Sequence, residues 1–240
     1  MTTQYDAIGQ SYERVKLGMP LARGPERATV EALTADCAGR TVLDLACGTG
    51  WYSRLIRRAG AAAVTGVDIS AEMVGAAEHA ESVEPLGNRY LVSDARLLGT
   101  VGQFDAVTAV WLLCYARDPD DLEAMARTAY QNLVPGGSYL GVEMNPRFDW
   151  GGPLATKYGL THRPDAEFTG GKELTVTAHV DPPISFQAYF WEEAPIVAAF
   201  RRAGFRQVDI VPAVLPAAPG DAFWDDFRAN PTIVGIRATK

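Results

Sequence analysis

The feature that most constrains the fold of this chain is a glycine-rich turn that follows a short apolar run. The run VLDLA at residues 42–46 is followed directly by CGTG, and a segment with helical spacing of apolar residues begins at Trp51. This order is typical of a buried parallel strand that turns tightly into a helix. A Cβ at Gly48 or Gly50 would obstruct the turn, or the close approach of a ligand to its backbone. The sequence therefore predicts a βα unit that binds a ligand at its loop.

Short apolar runs and helical segments alternate along the first 145 residues. Helices are expected at 25–36, 51–60, 70–80 and 118–133, and strands at 41–46, 63–68, 89–94, 104–113 and 138–144. Two further strands are expected within 205–213 and 232–240. Such alternation predicts an α/β fold with a doubly wound, mostly parallel seven-stranded sheet and helices on both faces.

The alternation breaks after residue 145, where a loop-rich stretch contains many glycines, prolines and aromatic residues. Segments 172–180 and 184–192 alternate apolar and polar residues, so we expect them to pair as a hairpin before a helix near 192–203. Residues 1–240 are expected to form a single domain. Within it, 145–191 is interpreted as an insertion that caps the active site, and 1–20 as an N-terminal lid.

Composition and charge narrow the range of partners and compartments. The net charge is −7 and the charged residues are interspersed, which argues against nucleic acids and anionic membranes as partners. The three cysteines show no paired spacing, and the first residues contain no apolar signal region. We expect a cytoplasmic monomer or homodimer that acts on a small molecule. The sequence shows no metal-ligand cluster, so no metal is expected.

Two ligands are compatible with the glycine loop. A dinucleotide fingerprint needs a third glycine, but Ser53 occupies that position. An adenosyl sulfonium carries a methionine tail, and Asp44 supplies an anion that the ammonium group of this tail would favour. Asp68 ends the next strand about 20 residues further on, where an acidic residue can accept both ribose hydroxyls of either ligand.

Several motifs in one order resemble the class I S-adenosylmethionine-dependent methyltransferases. They are DLACGTG (44–50), GVDIS with Met73, VSDA (92–95), FDAV (104–107) and LVPGG (133–137). The resemblance implies S-adenosylmethionine as cofactor and S-adenosylhomocysteine as product. It places Asp44, Gly48 and Gly50 at the methionine part, and Asp68 at the ribose. The further cofactor-binding residues that we predict are Ile69, Met73, Asp94, Ala95 and Val110, with Tyr12 of the lid near the carboxylate.

The N-terminal segment, together with AVWLLCYA (109–116) and FWDDF (223–227), resembles bacterial small-molecule N-methyltransferases of the toxoflavin type. This implies in-line methyl transfer to a nitrogen or oxygen of a small aromatic or heterocyclic metabolite. An NAD-dependent oxidoreductase is a second interpretation, which Ser53 and the lack of a Tyr-x-x-x-Lys pattern disfavour. A third is a non-catalytic S-adenosylmethionine-binding protein that has lost its acceptor site.

Residues for the acceptor pocket are predicted from their place after a strand or in the insertion. Trp111 and Tyr115 follow the fourth strand, at the sheet edge where open α/β folds bind ligands. The other candidates are Glu143, Tyr158, His179, Tyr189 and Trp191. A general base is needed only if the acceptor must lose a proton, and Glu143, His162 and His179 are the candidates for it.

Overall fold

The computed structural model describes residues 17–216, 218 and 220–240. Its strands are β1 Thr41–Leu45, β2 Ala63–Asp68, β3 Arg89–Val92, β4 Phe104–Val110, β5 Leu133–Met144, β6 Leu160–Phe168, β7 Gly171–Ala178, β8 Ile184–Trp191, β9 Gln207–Pro212 and β10 Ile233–Thr239. Its helices are α1 Arg27–Leu33, α2 Trp51–Arg58, α3 Ala71–Val83, α4 Pro119–Asn132, α5 Glu193–Ala203 and α6 Asp225–Ala229. A π-helical turn, Ala22–Glu26, leads into α1.

The main sheet has seven strands in the order β3-β2-β1-β4-β5-β10-β9. The first five strands in this order pair in parallel, whereas β10 pairs antiparallel with both β5 and β9. The predicted doubly wound, mostly parallel sheet is therefore confirmed. The order reverses between β1 and β4, so the carboxyl ends of these two strands flank a crevice where such folds bind ligands.

Local capping signals define the ends of several helices. Ser70 caps α3 by accepting a hydrogen bond from the backbone N–H of Met73, and Asp118 caps α4 in the same way for Asp121. Helix α5 ends at Gly204 with φ of 114°, a conformation that glycine adopts without strain. By contrast, the helix predicted from Pro25 is divided, because the π-helical turn precedes the α-helix.

The segment after β5 forms a separate three-stranded antiparallel sheet in the order β6-β7-β8. The expected hairpin corresponds to β7 and β8, but β6 lies within the stretch predicted as loop, so that expectation was wrong. Pro164 and several charged residues hid the strand in the sequence. Pro164 lies on an edge strand, next to a shift in register between Pro164 and Ala166. At such a position the missing N–H of proline removes few hydrogen bonds between strands.

The two faces of the three-stranded sheet differ in polarity. The inner face contributes Leu174, Val176 and Ala188 to the same apolar core as Val30 of α1 and Tyr52 of α2. The outer face carries polar side chains that hydrogen-bond across the strands, such as Thr177 with Ser185. Strand alternation therefore leaves one wall available to line a cavity.

Two further points concern the predicted N-terminal lid and membrane-spanning helices. Most of the predicted lid, including Tyr12, lies outside the described residues. Among residues 17–216, 218 and 220–240, no helix has both the length and the apolar character required to cross a bilayer.

Candidate functional site

The glycine loop between β1 and α2 turns through three residues with positive φ: Ala46 at 55°, Gly48 at 54° and Gly50 at 74°. The Oδ2 atom of Asp68 accepts a hydrogen bond of 2.8 Å from the backbone N–H of Gly48. Its other oxygen accepts one of 2.9 Å from the N–H of Ser70. The structure therefore brings the loop and the acidic end of β2 together, as the motif order predicts.

Gly50 is required for a reason that the sequence did not reveal. A Cβ at this position would lie 2.6 Å from the hydroxyl of Tyr90 and 2.9 Å from the adjacent ring carbon. Burial of this tyrosine raises its pKa to about 12. The glycine thus makes room for a side chain of β3 beneath the loop, in addition to allowing the left-handed conformation.

Asp44 lies at the end of β1 and is 1 % exposed. Its two carboxylate oxygens accept hydrogen bonds from Ser53 Oγ at 2.5 Å and from Thr108 Oγ1 at 2.9 Å. Ser53, which replaces the third glycine of a dinucleotide fingerprint, therefore orients this carboxylate from helix α2.

A cavity of about 560 Å³ opens above this loop, and we call it the glycine-loop cavity. Its lining includes Asp44, Gly48, Thr49, Tyr52, Asp68, Met73, Val110, Trp111 and Tyr115. Thr49 Oγ1 is buried there, and no described residue forms a hydrogen bond with it. Because an unpartnered buried hydroxyl is costly, its presence in a cavity wall indicates a polar ligand.

A second cavity, of about 1210 Å³, extends along the ends of β2 and β3, and we call it the strand-end cavity. Among its lining residues are Asp68, Ile69, Asp94, Ala95, Arg96 and Tyr115. Burial raises the pKa of Asp94, but hydrogen bonds from the Arg96 side chain and backbone outweigh it, and the net shift is downward. Arg96 also binds Asp121, so a charged network holds one wall of this cavity.

The third cavity has a volume of about 580 Å³ and is walled almost entirely by apolar groups, so we call it the apolar cavity. The inner face of the three-stranded sheet forms one side of it, with Leu160, His162, Leu174, Val176, Ala178, Phe186 and Ala188. Its remaining lining residues are Met19, Glu26, Trp111, Cys114, Tyr115, Met144 and Tyr189.

Trp111 and Tyr115 join these cavities. Both line the glycine-loop cavity and the apolar cavity, and Tyr115 also lines the strand-end cavity. Trp111 has φ of 62°, which is rare for a bulky residue, and its backbone N–H donates to the carbonyl of Val142 at 2.9 Å. Backbone strain of this kind persists only where the surroundings fix it, and it clusters at functional sites.

Glu26 is a site residue that sequence reasoning missed. It is 1 % exposed, lines the apolar cavity, and accepts hydrogen bonds from Tyr52 Oη at 2.6 Å and Trp111 Nε1 at 2.8 Å. A signal was present, because Glu26 precedes Val30 by four residues and Leu33 by seven, and all three lie on the buried face. An acidic residue at a core position of a helix needs a partner or a ligand.

Four of the predicted acceptor residues are not among those that line the apolar cavity. Glu143 is buried, and it accepts hydrogen bonds from the N–H groups of Leu112 and Leu113 at 2.7 and 2.6 Å. Tyr158 stacks on Trp224 at 4.8 Å between ring centroids, which anchors it to the C-terminal region.

The other two are engaged elsewhere. The indole of Trp191 donates to the carbonyl of Ala116, and His179 hydrogen-bonds Thr161 at an exposed position. Trp111, Tyr115 and Tyr189 are the predicted acceptor residues that do reach the apolar cavity.

Comparison with known proteins is consistent with this geometry. Residues 42–137 match the family model described as Methyltransferase domain. A ubiquinone biosynthesis O-methyltransferase from Psychrobacter arcticus is 36% identical over 104 residues, which cover 42% of this chain and 39% of that protein. The matched region is thus less than half of the relative's own length.

Two solved structures share the fold over nearly all of the chain. An S-adenosylmethionine dependent methyltransferase from Mesorhizobium loti has a TM-score of 0.59 at 22% identity, covering 88% of this chain and 98% of its own. The PH0226 protein from Pyrococcus horikoshii has a TM-score of 0.66 at 20% identity. The match covers 100% of this chain and 99% of that protein. Residues 42–137 therefore resemble a methyltransferase domain, and the chain shares its overall fold with these two solved structures.

Proposed function

We propose that the protein transfers a methyl group from S-adenosylmethionine to a nitrogen or oxygen of a small, mainly apolar metabolite, aromatic or heterocyclic, held in the apolar cavity. The observation that carries the proposal is the pair Trp111 and Tyr115, which line both the apolar cavity and the glycine-loop cavity. A cavity with several polar groups at the glycine loop and an almost wholly apolar one beside it are the arrangement that a methyl donor and an acceptor require.

The donors and acceptors of the glycine-loop cavity fit this cofactor. The carboxylate of Asp44 suits the ammonium group of a methionine tail, and the unpartnered hydroxyl of Thr49 suits its carboxylate. Asp68 would accept ribose hydroxyls, while Asp94 and Ala95 line the strand-end cavity, where an adenine ring would lie. Bound S-adenosylmethionine supplies a methyl group already activated by a sulfonium.

The protein itself then has to position the acceptor against the methyl group and to exclude water. Methyl transfer needs the nucleophile near 3 Å from the carbon and in line with the leaving sulfur, and such positioning can lower a barrier by about 7–11 kcal/mol. The aromatic faces of Trp111 and Tyr115 at the cavity boundary can attract a cationic centre. The apolar walls contributed by β6, β7 and β8 exclude water from the acceptor side.

Two measurements test the proposal. Isothermal titration should show binding of S-adenosylmethionine and not of NAD. Mass spectrometry should then detect S-adenosylhomocysteine and a methylated product with members of a panel of small phenols and heterocyclic amines. Binding of S-adenosylmethionine with no turnover of any panel member would instead support a non-catalytic binding protein.

A matched pair of variants tests the place of the acceptor. Ala188→Leu narrows the apolar cavity, whereas Gln187→Leu changes the neighbouring residue on the outer face of β8. We expect turnover to fall at least tenfold in the first variant, with S-adenosylmethionine affinity retained in both. Equal turnover in the two variants would place the acceptor elsewhere.

A further inference from the structure

His162 is the polar exception on an apolar wall. Eight residues of the three-stranded sheet line the apolar cavity; seven lie on its inner face, and six of those seven are apolar. His162 lies in one cross-strand row with Val176 and Phe186, so the pleat turns all three to the same face. Packing does not require a histidine at this position, because Leu or Val would continue the apolar surface of the sheet.

The imidazole is also without a partner. Among the residues that the structure describes, no hydrogen bond or ion pair reaches it, whereas His179 on the outer surface binds Thr161 Oγ1 at 2.7 Å. Burial in apolar surroundings lowers the pKa of His162 to about 4, so the ring is neutral at physiological pH. The other ionisable groups that border this cavity are Glu26, Cys114, Tyr115 and Tyr189.

An unpartnered polar ring in an apolar wall costs stability, and such a cost is commonly offset by binding. Its two nitrogens offer one donor and one acceptor when the ring is neutral. A hydroxyl or N–H on an otherwise apolar ligand would satisfy the acceptor nitrogen. A carboxylate ligand would instead require His162 to take up a proton, against the desolvation that keeps it neutral.

We propose that His162 is a specificity-determining residue of the acceptor site, and that the acceptor is a neutral, mainly apolar ring compound whose hydroxyl or N–H group donates a hydrogen bond to this imidazole. The proposal rests on the proposed function, since it takes the apolar cavity as the acceptor site. It assigns His162 to binding and orientation of the acceptor.

The test compares three probes of similar shape: naphthalene, 2-naphthol and 2-naphthoate. Each is titrated into the protein saturated with S-adenosylhomocysteine, and the imidazole signals of the three histidines are followed by NMR. We expect 2-naphthol to bind about threefold to tenfold more tightly than naphthalene, which is the usual net value of one neutral hydrogen bond. Only the His162 signals should shift, with those of His79 and His179 as internal controls.

The variant His162→Leu separates the hydrogen bond from the shape of the cavity. It should bind naphthalene and 2-naphthol equally, and its melting temperature should equal or exceed that of the wild type, because a partly buried imidazole without a partner is replaced by an apolar side chain. His179→Leu should retain the preference for 2-naphthol.

Several results would overturn the proposal: no preference in the wild type, a preference that survives in His162→Leu, or no binding of either neutral probe. If 2-naphthoate binds most tightly of the three probes, and its affinity increases as the pH falls from 8 to 5.5, the acceptor is not a neutral compound and the proposal is wrong. If the protein does not bind S-adenosylhomocysteine, the result counts against the proposed function. The three probes can then be compared on the unliganded protein, which still tests the role of His162.

Discussion

The indole Nε1 of Trp111 donates a hydrogen bond of 2.8 Å to Oε2 of Glu26, which lies 85 positions earlier in the chain. The other oxygen of Glu26 accepts from the hydroxyl of Tyr52. One buried carboxylate therefore links the turn before α1, helix α2 and the residue that follows β4. Trp111 borders both the apolar cavity and the glycine-loop cavity, so Glu26 holds a side chain that lies between the two.

Replacement of Glu26 by Ala should destabilise the protein, because it leaves two donors, Tyr52 Oη and Trp111 Nε1, without their acceptor. We expect a loss of about 2–4 kcal/mol in the free energy of unfolding, measured by urea denaturation. The control is Glu31→Ala on the adjoining helix α1, where an exposed pair with Arg27 is lost and the change should stay within about 0.5 kcal/mol. Equal losses in the two variants would refute the role given to Glu26.

Asp68→Ala should weaken binding of S-adenosylmethionine by about tenfold to a hundredfold, since charge-assisted hydrogen bonds contribute about 1.5–3 kcal/mol. The side chain also supports the N–H of Gly48, so the variant removes both a ligand contact and a support of the loop. Isothermal titration measures the change. Asp209→Ala, which removes a hydrogen bond to Gln207 on β9, serves as the control and should leave the affinity unaltered. An unchanged dissociation constant in Asp68→Ala would remove this residue from the site.

Gly50→Ala should destabilise the protein more than Gly39→Ala does, although both glycines have φ of 74°. A Cβ at Gly39 meets nothing within 4 Å, whereas one at Gly50 meets the hydroxyl of Tyr90. The left-handed conformation costs the same in both variants, so the difference reports the clash with Tyr90. We expect that difference to be about 1–3 kcal/mol by urea denaturation. If the two losses agree, Tyr90 yields without cost and the clash is not the reason for the glycine.

Glu143 should make the stability of the protein depend on pH. Burial raises its pKa to about 8, even though backbone N–H groups of Leu112 and Leu113 oppose this shift. The folded state thus binds a proton that the unfolded state releases above its ordinary pKa of about 4.3. This contribution to stability is fully present below that value and declines as the pH rises towards 8. In urea denaturation at pH 5, 6.5 and 8, Glu143→Gln should lose less stability with rising pH than the wild type. Parallel curves would show that the carboxyl does not titrate in this window.

The sequence predicts the parts of the fold that short-range patterns encode. Strands β1, β2 and β4 are apolar runs with clear ends, and the glycine loop with Asp68 forms a motif of fixed spacing. The elements that pair over long distances are harder to predict. Strand β6 contains Pro164 and charged side chains, and it becomes a strand only because β7 lies beside it.

The same distinction separates the predicted from the unpredicted site residues. Trp111 and Tyr115 reach the crevice because they follow β4 directly, a position that the fold class determines. Glu26 reaches the apolar cavity through tertiary packing, which no local motif records. The same holds for His162, which the sequence offered only as a candidate base. Tyr158 and Trp191 were expected in the acceptor pocket on their aromatic character alone. Their hydrogen bonds, to the carbonyls of Phe223 and Ala116, hold the three-stranded sheet in place instead.

The alternation of the three-stranded sheet has a consequence for the evolution of this chain. The residues of this sheet that line the apolar cavity lie within 160–189, whereas those of the glycine-loop cavity lie within 44–115. Mutations on the inner face of β6, β7 and β8 can reshape one cavity without altering the other. The outer-face hydrogen bonds, such as Thr177 with Ser185, would keep the strands in register through such changes. A lineage built on this plan can change the ligand of its apolar cavity while the glycine-loop cavity stays unchanged.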